Sequence, residues 1–367
     1  MKNKLKVYFP MLRTRKEIME NISESTTLKS TFNSWKTEEQ EKFLDICTGV
    51  SGVKVLYDFM IKEILNPETT PERISELLSL LLKEKVKVLS VLPNDATRIA
   101  DETSLIITDI VVELENGSIA NIEIQKIGYQ FPGARCACYS SDLLLRQYKR
   151  IKSEQKRNFT YKSIKTVYTI VFFEKSPKAF HKFPKNYIHF FEQKSDTGLQ
   201  MDLLQKYIFI PLDIFKKNQQ NKDIKNKLDA WLVFLSMDEP EMIIKLIEIY
   251  PDFKPMYEQI YNICQNIEEV MGMFSKELQE LDRNTVLYMI DEMQDELDEK
   301  KLQLNETKNK LNCAKTQLTS AKNQLNSTKN QLDSTKSQLD STKKELNSTK
   351  EQLEKALLKI AELEQNT

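Results

Sequence analysis

The sequence predicts an α/β fold followed by a long coiled-coil helix. Three observations carry this. Helix-type and strand-type patterns succeed one another in the order helix, strands, helix, strand over the first ~215 residues. Two strand-like runs flank Glu115-Asn116-Gly117 as a hairpin. From Ile290 onward an apolar residue returns at every seventh position.

The first 85 residues read as an N-terminal helical region. Thr37-Glu38-Glu39-Gln40 resembles a capping box, with Thr37 as cap and Gln40 three residues on. Trp35 and Phe43 read as core residues. Pro71 opens a further helix through Ile74, Leu77, Leu78 and Leu81, because proline's missing N–H has no partner in a first turn.

Residues 86–215 read as the central core. Val86–Val91 alternates as a strand, and the hairpin follows. Ala134 to about Arg150 predicts a helix. Thr166–Phe173, rich in β-branched and aromatic residues, predicts a central strand. Tyr207–Leu212 predicts another, with Pro211 near its end or on an edge. Residues 216–289 read as helical, and 290–367 as the coiled-coil tail.

The hairpin carries an acid on each arm, Asp109 and Glu123. A two-residue turn would set Glu123 opposite Ile110 and send the acids to opposite faces. A three-residue loop with Gly117 left-handed sets Asp109 opposite Glu123. The apolar pattern chooses the second. One face then holds Ile106, Ile110, Val112, Leu114, Ala120, Ile122 and Ile124. The other gathers Asp109, Glu113, Asn121, Glu123 and Gln125, with Leu105, Ile107, Val111 and Ile119. Two carboxylates so paired can hold a divalent cation; a half-exposed hairpin with solvated acids fits the same pattern.

Composition narrows the function. The 367 residues balance 54 Lys and Arg against 54 Asp and Glu, so attraction for nucleic acid must be local. Between Arg135 and Lys165 nine cations face only Asp142 and Glu154, with Tyr148, Phe159 and Tyr161 interleaved. Arg146, Lys149, Arg150, Lys152, Lys156 and Arg157 are the candidate phosphate contacts. A solvated helix face and loop is the plainer alternative. Five cysteines without zinc-type spacing point to a reduced, cytoplasmic protein. Two histidines, His181 and His189, both in a loop-like region, argue against histidine-based chemistry. No apolar run is long enough for a membrane span, and the N-terminus lacks a signal core.

The tail's seam runs Ile290, Leu297, Leu304 and on by sevens to Ile360, with mostly Thr or Ala three residues after each. It predicts a homo-oligomer through residues 290–363; a solvated helical spacer is the alternative.

Several segments resemble the PD-(D/E)XK nuclease family transposases, relatives of the recombination-promoting nucleases. They are Leu92-Pro93-Asn94, Arg98–Leu105, Thr108–Val112 and Asn121–Gln125, then Arg135–Ser140 with Arg135 and Tyr139 four apart. Asp58, Lys62 and Asn66-Pro67 resemble that family's N-terminal helix. The resemblance implies a restriction-endonuclease-like mixed sheet flanked by helices and Mg2+-dependent hydrolysis of DNA, with Mn2+ as a substitute, tied to transposition or recombination. It makes Asp109 and Glu123 the metal-binding acids and adds the Ile124 carbonyl as a third ligand. Gln125 stands where the wider superfamily has lysine. Glutamine orients water but carries no charge, and alternation aims the neighbouring Lys126 at the other face. Arg135 is then the candidate cation, sharing a helix face with Tyr139. A further acid is open among Asp58, Glu63, Glu76, Asp101 and Glu102. The alternative is a catalytically weak DNA-binding or assembly protein on this fold, oligomerised by its tail.

Overall fold

The computed structural model describes residues 3–92, 110–127, 132–220 and 222–364; some side chains within these, Asp58 and Arg135 among them, fall outside the description. By chain contacts the protein divides into two units, Met1–Asp291 and Glu292–Thr367.

Six helices open the first unit: α1 Leu5–Tyr8, α2 Arg15–Glu24, α3 Thr26–Ser34, α4 Thr37–Thr48, α5 Asp58–Ile64 and α6 Pro71–Leu82. The strands β1 Val88–Val91, β2 Ile110–Leu114 and β3 Ile119–Ile127 follow, then α7 Pro132–Gln155 and β4 Val167–Lys175. β5 His189–Phe191 and β6 Gln205–Pro211 complete the sheet. The helices α8 Leu212–Gln219, α9 Lys227–Ser236, α10 Pro240–Ile249, α11 Lys254–Ile263 and α12 Ile267–Glu364 close the chain.

The sheet is mixed, in the order β1-β2-β3-β4-β6-β5. β3, β4 and β6 run parallel at its centre, and β1, β2 and β5 pair antiparallel. Parallel strands need a crossover, and α7 supplies it between β3 and β4. β4 is therefore central, as its β-branched, aromatic composition predicts. Its even-numbered Ile170 and Phe172 face one layer, and its odd-numbered Val171 and Phe173 face the other.

One core joins the N-terminal helices, the even face of the sheet and the C-terminal helices, from Leu5 to Phe274. Burial of each large aliphatic or aromatic side chain there contributes about 1.5–3 kcal/mol. Trp35, Phe43 and Phe274 meet with ring centroids 5.0–5.6 Å apart, which confirms Trp35 and Phe43 as core residues. Pro71 stands in the first turn of α6 as expected.

Three local expectations are corrected. The box at α4 lies one residue earlier: the Lys36 N–H donates to Glu39 Oε2 at 2.8 Å, while Gln40 donates to the carbonyls of Phe32 and Trp35. β5 was not foreseen, and it places His189 on a strand; His181 lies in a short 3-10 turn. α7 runs to Gln155, so Lys152 is helical.

In the second unit the helix of α12 carries the heptad leucines. Leu297, Leu304, Leu325, Leu332 and Leu353 are more than half exposed. Thr307, Thr328, Thr335, Thr342 and Thr349 turn their hydroxyls back to the carbonyl four residues earlier. Among the described residues, no helix is long and apolar enough to cross a membrane.

Candidate active site

The β2–β3 turn has the three-residue form. Ile110 pairs with Ile122, Val111 with Asn121 and Val112 with Ala120. The Leu114 N–H donates to the Ser118 carbonyl at 2.8 Å, which closes Glu115-Asn116-Gly117 as the loop. Asn116 Oδ1 accepts from the Ser118 N–H, a side-chain-capped turn. Gly117 has φ +82°, a conformation costly for residues with a Cβ, and a Cβ there would meet Lys165 Cγ at 3.2 Å.

This register sorts the faces as the apolar pattern predicts. Ile110, Val112, Leu114, Ala120, Ile122 and Ile124 enter the large core. Val111, Ile119, Asn121, Glu123 and Gln125 share the opposite side with Val167, Thr169 and Val171 of β4, where α7 packs. Glu123 is 0% exposed and Gln125 1%. Glu123 is thus not the solvated acid of an ordinary hairpin. Asp109, with Leu105, Ile106 and Ile107, lies outside the described residues.

α7 covers this face with a mixed stripe. Leu143 and Leu144 pack against Val111, Ile119 and Val167, and Cys136 joins Val171 and Phe173. Between them Ser140 and Gln147 are buried. Ser140 Oγ accepts from Gln205 Nε2 at 3.2 Å, and Gln147 Oε1 from the Lys165 N–H at 2.6 Å. Gln125 Nε2 donates to Glu123 Oε1 at 2.8 Å, a bond strengthened by the acceptor's charge when Glu123 is ionised.

The donors and acceptors do not balance here. Asn121 Oδ1, Gln125 Oε1 and Thr169 Oγ1 are buried without a hydrogen-bond partner among the described residues. Buried oxygens left this way cost free energy. A carboxylate with amide oxygens on the same strand face is a hard donor set of the kind Mg2+ accepts, so the residue types fit such an ion; the Gln125 atom hydrogen-bonded to Glu123 is its amide nitrogen. Among the described residues, no three His, Cys, Asp or Glu side chains converge to hold a metal.

Lys126 is removed from this chemistry. It is 2% exposed and forms an ion pair with Glu277 of α12, on the large-core side of the sheet. Tyr139 is half-buried on α7. Of the candidate additional acids, Glu63 is exposed on α5, and Glu76 accepts from Trp231 Nε1 at 2.7 Å on α9. Asp101 and Glu102 lie outside the described residues, as does the side chain of Asp58.

The predicted basic stripe is divided by the fold. Arg146 pairs with Asp142 at 2.7 Å, and Arg150 reaches Glu113 on β2 at 2.9 Å. Lys149, Lys152, Lys156 and Arg157 are exposed. Asp142 and Glu154 are the opposing acids visible in the sequence; Glu113 becomes a partner only through the packing of α7 on β2. Nor does the sequence single out Thr169, Ser140 and Gln147. The last two are polar positions seven apart on the inner face of α7, a spacing that could have flagged them.

A family model described as PD-(D/E)XK nuclease family transposase matches residues 55–290, which runs from before α5 into α12. No curated protein and no solved structure matches the chain.

Proposed function

Because the chain belongs to the PD-(D/E)XK nuclease family transposases, we propose that it is a metal-dependent DNA endonuclease whose ion is held by Asp109 and Glu123. The family ties the chain to nuclease and transposition-related function; the metal, the substrate and the residue roles are our reading. The pairing of Ile110 with Ile122 carries it. Continued by one pair, that register would set Asp109 opposite Glu123, on the face where Asn121 Oδ1 and Gln125 Oε1 have no hydrogen-bond partner among the described residues.

Glu123 supplies one carboxylate, and the Ile124 carbonyl is the proposed further ligand. When bound, Mg2+, or Mn2+ in its place, supplies Lewis-acid polarisation of the scissile phosphate and a more acidic water. Gln125, neutral and hydrogen-bonded to Glu123, holds the orientation of the carboxylate and offers its free oxygen to water. Arg135, one turn before Tyr139 on α7, is the proposed cation for the phosphate. Lys149, Lys152, Lys156 and Arg157 provide exposed charge for the DNA backbone, while Arg146 and Arg150 contribute from within their ion pairs. The exposed leucine seam supports self-association through residues 290–363.

One observation favours a second reading, a DNA-binding or assembly protein with little cleavage. The position that is lysine in the wider superfamily is a neutral amide here, and Lys126 is spent on Glu277. Nicking of supercoiled plasmid with Mg2+, against the same protein in EDTA, separates the two: the endonuclease nicks only with the metal, and the assembly protein binds without nicking.

A further inference from the structure

Three aromatic rings close around the C-terminal end of α7. Tyr148 of the helix and Tyr161 lie with ring planes 10° apart and centroids 6.1 Å apart. Phe159 stands edge-on to both, at 5.5 Å and 81° from Tyr148 and 5.4 Å and 72° from Tyr161. Offset-stacked and edge-on pairs of this kind hold rings in fixed orientation. Such a cluster ordinarily buries its members. Tyr161 is nevertheless 73% exposed.

The surroundings are cationic. Lys152 Nζ donates to Tyr148 Oη at 2.7 Å and stands 5.1 Å from that ring's centroid. Lys149, Lys156, Arg157 and Lys162 are exposed around the rings. From Gln155 to Lys165 the chain has four cations and no acid. Leu145, one turn before Tyr148 on α7, is also exposed, but the exposed charged groups beside the rings are cations. Positive charge beside a braced, open aromatic face suits a polyanion that also offers flat π-faces.

We propose that Tyr161 is a stacking platform for an unpaired base of single-stranded DNA, with the flanking lysines and Arg157 taking the neighbouring phosphates. Bases inside a duplex already stack on one another, so only an unpaired base can use the ring. The proposal rests on the DNA reading above and narrows its substrate to DNA with a single-stranded segment.

The test uses the full-length protein in EDTA, with fluorescence anisotropy on a labelled single-stranded oligonucleotide and on a blunt duplex. Tyr161→Ala is expected to weaken single-strand binding on the order of tenfold and leave duplex binding within about twofold, while Tyr161→Phe binds like wild type. A 2-aminopurine in the single strand should lose emission on binding wild type and keep it with Tyr161→Ala. Unchanged single-strand affinity in Tyr161→Ala, or equal weakening for both DNAs, overturns the platform and leaves the DNA reading standing. Failure of wild type to bind either DNA overturns both. Because Tyr161 is exposed, a matched thermal melt verifies that each variant is folded.

Discussion

Ile110 on β2 faces Ile122 on β3, and this one pair sets the side of the sheet taken by every residue of the hairpin. A slip of one position would turn Glu123 and Gln125 into the large core and bring Ile122 and Ile124 under α7. The loop that prevents the slip depends on Gly117, the residue with positive φ in the turn.

Gly117→Ala is therefore expected to destabilise the first unit by about 1–2 kcal/mol, with some of the loss arising at Lys165 Cγ. Gly117→Asn should cost less, since asparagine tolerates the left-handed region better. Urea midpoints of the two variants check this; equal stability of Gly117→Ala and wild type would remove the turn from the account.

The buried pair Lys126–Glu277 ties β3 to α12. Removing one charge, as in Glu277→Leu, takes a carboxylate away from the buried Lys126 ammonium and should cost about 3–5 kcal/mol. The double replacement Lys126→Met with Glu277→Leu should recover most of that. Nicking per folded molecule should be unchanged in the double variant, because Lys126 faces away from Glu123. A loss of nicking with full folding would place Lys126 in the chemistry after all.

The thiols report on packing. Cys138 and Cys313 are exposed, whereas Cys47, Cys136 and Cys264 are buried. Burial pushes the Cys264 thiol up to about 12 and raises Cys47 well above its ordinary value, so neither supplies thiolate near neutrality. A thiol reagent on the native protein should modify two cysteines quickly and five after denaturation. A third fast thiol would contradict the packing of α4, α7 or α11.

Tyr187 gives a pH signature. Burial, then the charge of Asp229 and the 3.0 Å hydrogen bond to it, raise the phenol from 10 to about 12. Below pH 10 it is neutral whether folded or unfolded, and its contribution is intact. As pH rises from 10 towards 12 the unfolded phenol ionises first, so stability falls. Urea midpoints at pH 9 and 11 should differ less in Tyr187→Phe than in wild type; an identical slope would show that this phenol keeps its proton no longer than a free one.

Much of the site was legible because strand alternation has period two. Asn121, Glu123 and Gln125 fall on one face by counting alone, and the apolar positions of both arms decide which face is buried. The depth of burial was not legible, because it depends on α7 and on Thr169, which reads as one more β-branched strand residue. Long-range partners were invisible for the same reason. Lys126 finds Glu277 151 residues away, and Glu113 meets Arg150 only once α7 packs against β2. β5 escaped because three residues with two exposed phenylalanines give no alternation to count.

The heptad rod should act independently of cleavage. Ending the chain at residue 296 removes the exposed leucine seam and is expected to convert a concentration-dependent oligomer into a monomer by sedimentation, with nicking per active site retained. A monomeric full-length chain would reduce the tail to a spacer.

The proposed pairing of Asp109 with Glu123 is tested most directly by the Mg2+-dependent nicking rate of Asp109→Asn and Glu123→Gln against wild type. Each replacement keeps the side chain's shape and removes its charge, so folding is preserved while the ion loses a ligand. Both variants are expected to fall at least a hundredfold, with DNA affinity in EDTA unchanged. Nicking at the wild-type rate by either variant, with melts that match wild type, would contradict the account.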